Sequence, residues 1–534
     1  MSKYCVGVDF GTLSARALLV DAHTGEELAF AAKDYTHGVI SKDLPHGFAL
    51  QDPKDYMEAL GIIIPQVIKS SGIDPRDISG IGIDFTSCTM LPLDRDKEPL
   101  CFDEKYMDEP HAYAKLWKHH ASQPEADRIN RIAEKRGEVF LSRYGGRISS
   151  EWMLPKIWQI LNESPDIYNA AHKFIEAGDW IVQKLTGKEC RSNCAAGYKA
   201  LWNKKDGYPS KEFFRALDAR LEDLVDEKLS REIYPIGSKA GEINKEASKF
   251  TGLAEGTAVA VANLDAHAAF PAVGLTDPGK MLMIMGTSTC HMILAKEESP
   301  VPGICGMLED GIIEGFIGYE AGQPCTGDML DWYIQNNVPE RHIEKEDTYK
   351  VLSEKAFSIR PGQSGLLALD WWNGNRSVLN DASLSGVIMG CTLATRPEEI
   401  YRALMEAISF GTRLIIDNFE QSSITVDELY ATGGLAEKNE LLMQICADVT
   451  GRRIWVSDSS HSSALGSAIF AAKASGLYDN IVDAVGKMGK KPVKSYIPIP
   501  ENTKKYNKLY QEYRILHDYF GKGGNEVMKR LKNI

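Results

Sequence analysis

Val6-Gly7-Val8-Asp9-Phe10-Gly11-Thr12-Leu13-Ser14 reads as a short apolar strand that ends on an aspartate and runs into a glycine–threonine turn and a hydroxyl. Met283-Ile284-Met285-Gly286-Thr287-Ser288-Thr289 repeats that plan in the second half of the chain. The physical content is shared. Glycine lets backbone come close to an anion, and turn N–H groups with Ser/Thr hydroxyls supply uncharged donors. Taken singly, each stretch is most simply a hairpin turn. As a pair, one in each half, they suit the gripping of one polyphosphate between two domains.

The pattern around the first turn predicts strands over residues 4–9, 15–21 and 26–33, then a helix over 52–71 with Tyr56, Leu60, Ile64 and Val67 on one face. Residues 78–85 form a nearly continuous apolar run, the mark of a strand buried on both faces. Helical spacing recurs at 108–122, 125–140 and 151–162. The strand pattern restarts near 254, with strands at 257–263, 280–285, 290–295, 429–431 and 453–456, and helices at 397–420, 438–450 and 462–475. Alternating strands and helices give an α/β class, divided into residues 1–253 and 254–534. The tail from Lys487 holds twelve Lys/Arg against four Asp/Glu and is expected to be a solvated basic helix.

At 534 residues, with 43% hydrophobic and 25% charged residues, disorder is excluded as the dominant state. A net charge of −13 argues against nucleic acid and anionic membranes as partners. It leaves small anions open, since one phosphate needs only local donors. No apolar run reaches the ~18–20 residues of a membrane span, and residues 1–5 lack a signal pattern, so a cytoplasmic location is expected. The ten cysteines contain no C-x-x-C pair and are expected to be reduced and mostly buried.

Competing nucleotide motifs fail. Gly274-Leu275-Thr276-Asp277-Pro278-Gly279-Lys280-Met281 ends in Met where a P-loop needs Ser or Thr, and it precedes a strand. No G-x-G-x-x-G follows a strand into a helix, and H-E-x-x-H and G-x-S-x-G are absent.

Several ordered segments resemble the FGGY carbohydrate kinases, a branch of the actin/hexokinase-like ATPases. They are VGVDFGTLSARALLVD (6–21), GIGIDFTSCTMLPLD (80–94), VANLDAHAAFPAVG (261–274), MGTSTCHMIL (285–294), YATGGLAEKNELLMQICADVTG (430–451) and SSALGSAIFAA (462–472). Residues 110–120, 196–202 and 318–322 are similar to the members that phosphorylate L-ribulose. There are departures: Cys391 follows Gly390 where the family's second signature has an aliphatic residue, and the first signature is poorly matched around Met153 to Trp158.

The resemblance implies two ribonuclease H-like domains with a central cleft, the first binding sugar and the second binding ATP. It implies ATP-dependent conversion of L-ribulose to L-ribulose 5-phosphate, with another ketopentose or a polyol as alternative acceptors and a non-catalytic nucleotide-gated protein as the remaining rival. It also suggests a homodimer. Asp265 becomes the general base; the residues alone leave it open between a base and a helix cap. Asp9 becomes the Mg²⁺ residue, acting through water, where the residues alone equally allow a turn cap. Thr12, Gly286, Thr287 and Ser288 are assigned to the phosphates, and Gly433, Gly434 and Asn439 to the adenosine. Ser87, Trp117, Lys199 and Glu320 become the sugar contacts. Arg16 stays open between a phosphate contact and a solvated charge, and His267 is expected as a core or supporting residue.

Overall fold

The computed structural model describes residues 3–339, 348–457 and 461–532. Within them the chain forms two compact units that are discontinuous in sequence. The first runs to Thr276 and takes in Met307–Gly318 and His461–Lys490. The second holds Asp277–Gly306, residues 319–457 and the chain from Lys491 onward. Among the described residues no helix is long and apolar enough to cross a membrane.

In the first unit, the strands Lys239–Glu242, Ala258–Ala260, Ile78–Phe85, Tyr4–Phe10, Ser14–Asp21 and Glu27–Asp34 lie side by side in that order. Tyr4–Phe10 is parallel to Ile78–Phe85, which is parallel in turn to Ala258–Ala260, while Ser14–Asp21 and Glu27–Asp34 return as hairpins. The expected meander is therefore present. So is the helix Pro53–Ser71, which buries Tyr56, Leu60, Ile64 and Val67. Asp52 caps it by accepting from the Lys54 N–H at 2.9 Å.

The helix Ser462–Ala474 also packs on this sheet, although it lies far downstream of all these strands in the chain. The fit is backbone on backbone: a Cβ on Gly7 would sit 1.7 Å from the Ala464 carbonyl oxygen. On its other side, a Cβ on Gly466 would sit 1.7 Å from the carbonyl of Ala268, in the helix Asp265–Ala272.

A second core in the same unit gathers Phe140, Trp152, Ile157, Trp158, Phe174 and Phe213. Beside it lies a small sheet of Leu50–Gln51, Ala114–Lys115, Met90–Leu93 and Lys173–Glu176. Here one expectation fails. Residues 108–122 are not a helix but a 3₁₀ turn, Pro110–Ala112, the short strand Ala114–Lys115 and further turns. Long-range bonds override the local spacing: the Leu116 N–H donates to the Ala49 carbonyl at 3.0 Å, and His119 is buried against Gln159 at 2.8 Å.

The second unit repeats the first sheet's plan. Pro492–Tyr496, Ile454–Ser457, Glu428–Thr432, Lys280–Met285, Thr289–Ala295 and Ile317–Gln323 follow in order. The central strands are parallel, flanked by an antiparallel edge and an antiparallel hairpin. The basic tail is not a solvated helix. Pro500–Gly521 buries Tyr506, Tyr510, Tyr513 and His517. Tyr506 donates to Glu406 and accepts from Arg402, both at 2.8 Å, and Tyr510 donates to Asp417 at 2.6 Å, so one face is fixed to the helix Pro397–Gln421.

Candidate active site

Three parallel strands of the first unit end together, and each end carries a polar group. Asp9 and Asp84 are register partners, and Asn263 stands opposite Asp84 on its other side. Carboxyl ends of parallel strands are where open α/β sheets bind ligands. Asp84 is fully buried. Its Oδ2 accepts from the Ser467 hydroxyl at 2.6 Å, and its Oδ1 has no hydrogen-bond partner among the described residues. Burial pushes its pKa well above the usual carboxylate range, with the charge of Asp9 next and that of Asp265 adding to it. Arg16, left open above, pairs with Asp9 at 3.0 Å.

Asp265 follows directly, as the first residue of the helix Asp265–Ala272. Its Oδ1 accepts from the Ala266 N–H at 2.7 Å, so the carboxylate is oriented by its own helix end. Leu264 is the residue at the cap position itself. His267 is buried, with its ring 4.3 Å from that of Tyr198, in keeping with a core residue.

Two residues expected to serve different substrates meet in this unit. The Trp117 indole N–H donates to the Thr12 hydroxyl at 3.1 Å. Gln51 donates to the Thr12 carbonyl at 2.7 Å and accepts from Tyr56 at 2.6 Å, which fixes the turn from behind. Ser87 lies half-buried just past the strand Ile78–Phe85, next to Cys88, whose backbone is left-handed at φ 53°. Lys199 is buried at the end of the helix Asn193–Lys199, and its charge acts on Glu176 and Cys88.

The second unit holds the remaining candidates. The turn after Lys280–Met285 is closed by the Gly286 N–H on the Ser288 carbonyl at 2.9 Å. Thr326 braces it, its N–H on the Thr287 carbonyl at 2.8 Å and its hydroxyl on the Gly286 carbonyl at 3.1 Å. Gly433 adopts φ +95°, and a Cβ there would lie 2.6 Å from the Met285 carbonyl oxygen; beside Gly434 there is open space. Asn439 caps the helix Glu440–Thr450, accepting from the Leu442 N–H at 3.0 Å. Glu320 is buried on the strand Ile317–Gln323, and its carbonyl accepts from the Cys305 N–H at 2.8 Å.

The residue-by-residue reading missed Asp84, Asn263, Gln51 and Thr326. For Asp84 a signal existed: Gly82-Ile83-Asp84-Phe85 repeats Gly7-Val8-Asp9-Phe10. Among the described residues no group of three or more His, Cys, Asp or Glu side chains is arranged to hold a metal by itself. Asp9 and Asp84, with the unpartnered Oδ1, are instead an oxygen-only pair. That fits Mg²⁺, which keeps several waters and takes few protein ligands.

Residues 4–272 match the N-terminal domain of the FGGY family of carbohydrate kinases, and residues 281–475 match its C-terminal domain. The chain is 56% identical to a ribulokinase of Bacillus licheniformis, covering 98% of this chain and 97% of that one. It is 47% identical to a ribulokinase of Mycolicibacterium smegmatis, covering 99% and 96%. Among solved structures, a gluconate kinase from Lactobacillus acidophilus superposes with a TM-score of 0.82 at 21% identity over 98% of this chain and 99% of that one. A Plasmodium falciparum glycerol kinase with ADP gives 0.77 at 17% over 96% and 97%.

Proposed function

The chain belongs to the FGGY family of carbohydrate kinases, and from that premise we propose that it is a cytoplasmic ribulokinase, transferring the γ-phosphoryl group of ATP to the terminal hydroxyl of L-ribulose. The observation that carries the substrate is the full-length likeness to ribulokinases. Its place is arabinose catabolism.

In this reading the first unit supplies most of the sugar contacts and Thr12 to the phosphates, and the second supplies the remaining nucleotide contacts and Glu320 to the sugar. Ser87, Trp117, Lys199 and Glu320 hold the ketopentose. An indole covers an apolar sugar face, and ammonium and carboxylate groups bond vicinal hydroxyls. Asp265 takes the proton of the terminal hydroxyl as its oxygen bonds to the γ-phosphorus and the bridging bond to ADP breaks. The transition state is loose and the proton leaves late, so a carboxylate within hydrogen-bond reach suffices. The bond from the Ala266 N–H supports this role by fixing where that carboxylate points. Thr12, Gly286, Thr287 and Ser288 bind phosphate oxygens, and Gly433, Gly434 and Asn439 lie along the adenosine. Asp9 and Asp84 would hold Mg²⁺ through water, where it supplies neutralising charge for the phosphates.

The test is ADP release with L-ribulose, D-ribulose, xylulose and a polyol series. L-ribulose should give the highest kcat/KM. A higher value with another acceptor overturns the substrate, and no stimulation by any of them overturns the kinase reading.

A further inference from the structure

Lys156 lies on the helix Met153–Glu163 and is fully buried. Its ammonium donates to the Cys88 carbonyl at 2.7 Å and to the Leu116 carbonyl at 2.8 Å. Cys88 follows Ser87, and Leu116 precedes Trp117. The two segments come from antiparallel strands, Met90–Leu93 and Ala114–Lys115, whose ladder holds the pair Met90 with Lys115. Next to that pair the chains carry the left-handed Cys88 and the buried turn at Leu116. Lys156 therefore bridges them where strand pairing gives way.

The surroundings are charged. Burial lowers the Lys156 pKa, while Cys88, Glu176 and Glu151 oppose that shift and Lys199 adds to it. Glu176 is buried and its Oε1 has no hydrogen-bond partner among the described residues. An apolar side chain would fill this volume without desolvating an ammonium. What it would not do is tie two carbonyls from separate segments to one point.

We infer that Lys156 is a positioning residue for the acceptor: the cross-link sets the separation of Ser87 and Trp117, and with it which sugar is accepted. The inference rests on the proposed sugar-contact role of those two residues. Lys156 touches neither substrate and acts through the backbone beside them.

Lys156→Met is expected to raise the KM for L-ribulose about tenfold, the scale of losing charge-assisted hydrogen bonds. It should shrink the preference for L-ribulose over xylulose and leave the KM for ATP unchanged. Because Lys156 and Glu176 act on each other's charge, Lys156→Met/Glu176→Gln is measured beside it, with thermal unfolding of both. If the double variant is as stable as the parent and its sugar KM stays high, the positioning role stands. If KM and selectivity recover with stability, Lys156 is merely structural and the inference is overturned. Trp117→Phe separates the cross-link from the sugar site. An unchanged sugar KM there overturns the sugar site itself, whereas a raised KM there with a normal one in both Lys156 variants overturns only the cross-link.

Discussion

In the first sheet, the strand that enters the glycine–threonine turn carries Asp9, paired with Asp84 on the parallel strand beside it; in the second, Ile284 and Thr432 stand at the matching register. Each turn is closed by its glycine N–H, Gly11 on the Ser14 carbonyl and Gly286 on the Ser288 carbonyl, each at 2.9 Å, the second turn being one residue shorter. Strand order around them is also the same. One backbone plan thus carries two chemistries. Carboxylates beside a phosphate chain repel it unless a cation intervenes, whereas hydroxyls and N–H groups bind it directly. On the proposed function, the carboxylates of the first unit would serve a cation and a proton, and the hydroxyls and N–H groups of the second an anion.

The hardest test of this division is Asp265→Asn. It should lower kcat by about 10²–10⁴, the usual worth of a positioned general base, and leave ATP affinity unchanged by direct titration. Loss of nucleotide affinity in step with kcat would break the division. Activity above a few per cent of the parent would remove Asp265 from the chemistry.

Acid should act on both units alike. His119 in the first unit accepts from the Ala49 N–H at Nδ1, which leaves Nε2–H to donate to Gln159, so the ring is fixed as a neutral tautomer. Burial, ahead of nearby Lys115, lowers its pKa to about 2. His291 in the second unit is lowered to about 3 by burial. The unfolded chain takes up these protons near 6.5 and the folded chain does not, so the stability they contribute is complete above 6.5 and is lost as pH falls towards 3. Each pH unit in that window should remove about 1.4 kcal/mol per histidine in urea titrations. His119→Gln should flatten the slope of the first unit; an unchanged slope would mean that this ring titrates normally.

What could be read from the chain alone follows the range of the forces involved. The meander and both turns were legible because apolar alternation and turn glycines act locally. The pairing of Asp84 with Asp9 was not, since the two strands meet across a long stretch of intervening chain, although the repeated Asp-Phe was there to see. Ala112 and Leu116 mimic a helical face at 108–122, and only distant partners such as Ala49 and Gln159 reveal otherwise. In the tail, the count of lysines masked the stripe Tyr506, Tyr510, Tyr513, His517, which has helical spacing and is buried. Nothing local joins residues 461–490 to the first sheet; a fit at glycine does.

The opposite side of the helix Ser462–Ala474 gives a smaller effect confined to one unit. Gly466→Ala places a methyl 1.7 Å from a backbone oxygen of the helix that begins at Asp265. Backbone cannot rotate away as a side chain can, so a cost of about 1–3 kcal/mol is expected, with kcat lowered as that helix shifts. Unaltered stability and rate would show that the two helices do not fix Asp265.

The smallest effect on stability is expected at Gly434, and it bears on the second unit's proposed chemistry. Gly433 needs its φ of +95° and its closeness to Met285, so any substitution there mixes strain with function. Gly434 has neither constraint: nothing lies within 4 Å of where a Cβ would stand. Gly434→Ala should therefore leave stability within about 0.5 kcal/mol of the parent. If the space is open because adenosine lies in it, the same methyl should raise the KM for ATP by about tenfold, equivalent to ~1.4 kcal/mol, with the sugar KM unmoved. A plain strand-to-helix turn would show no change in either constant, and the nucleotide assignment of this loop would fall.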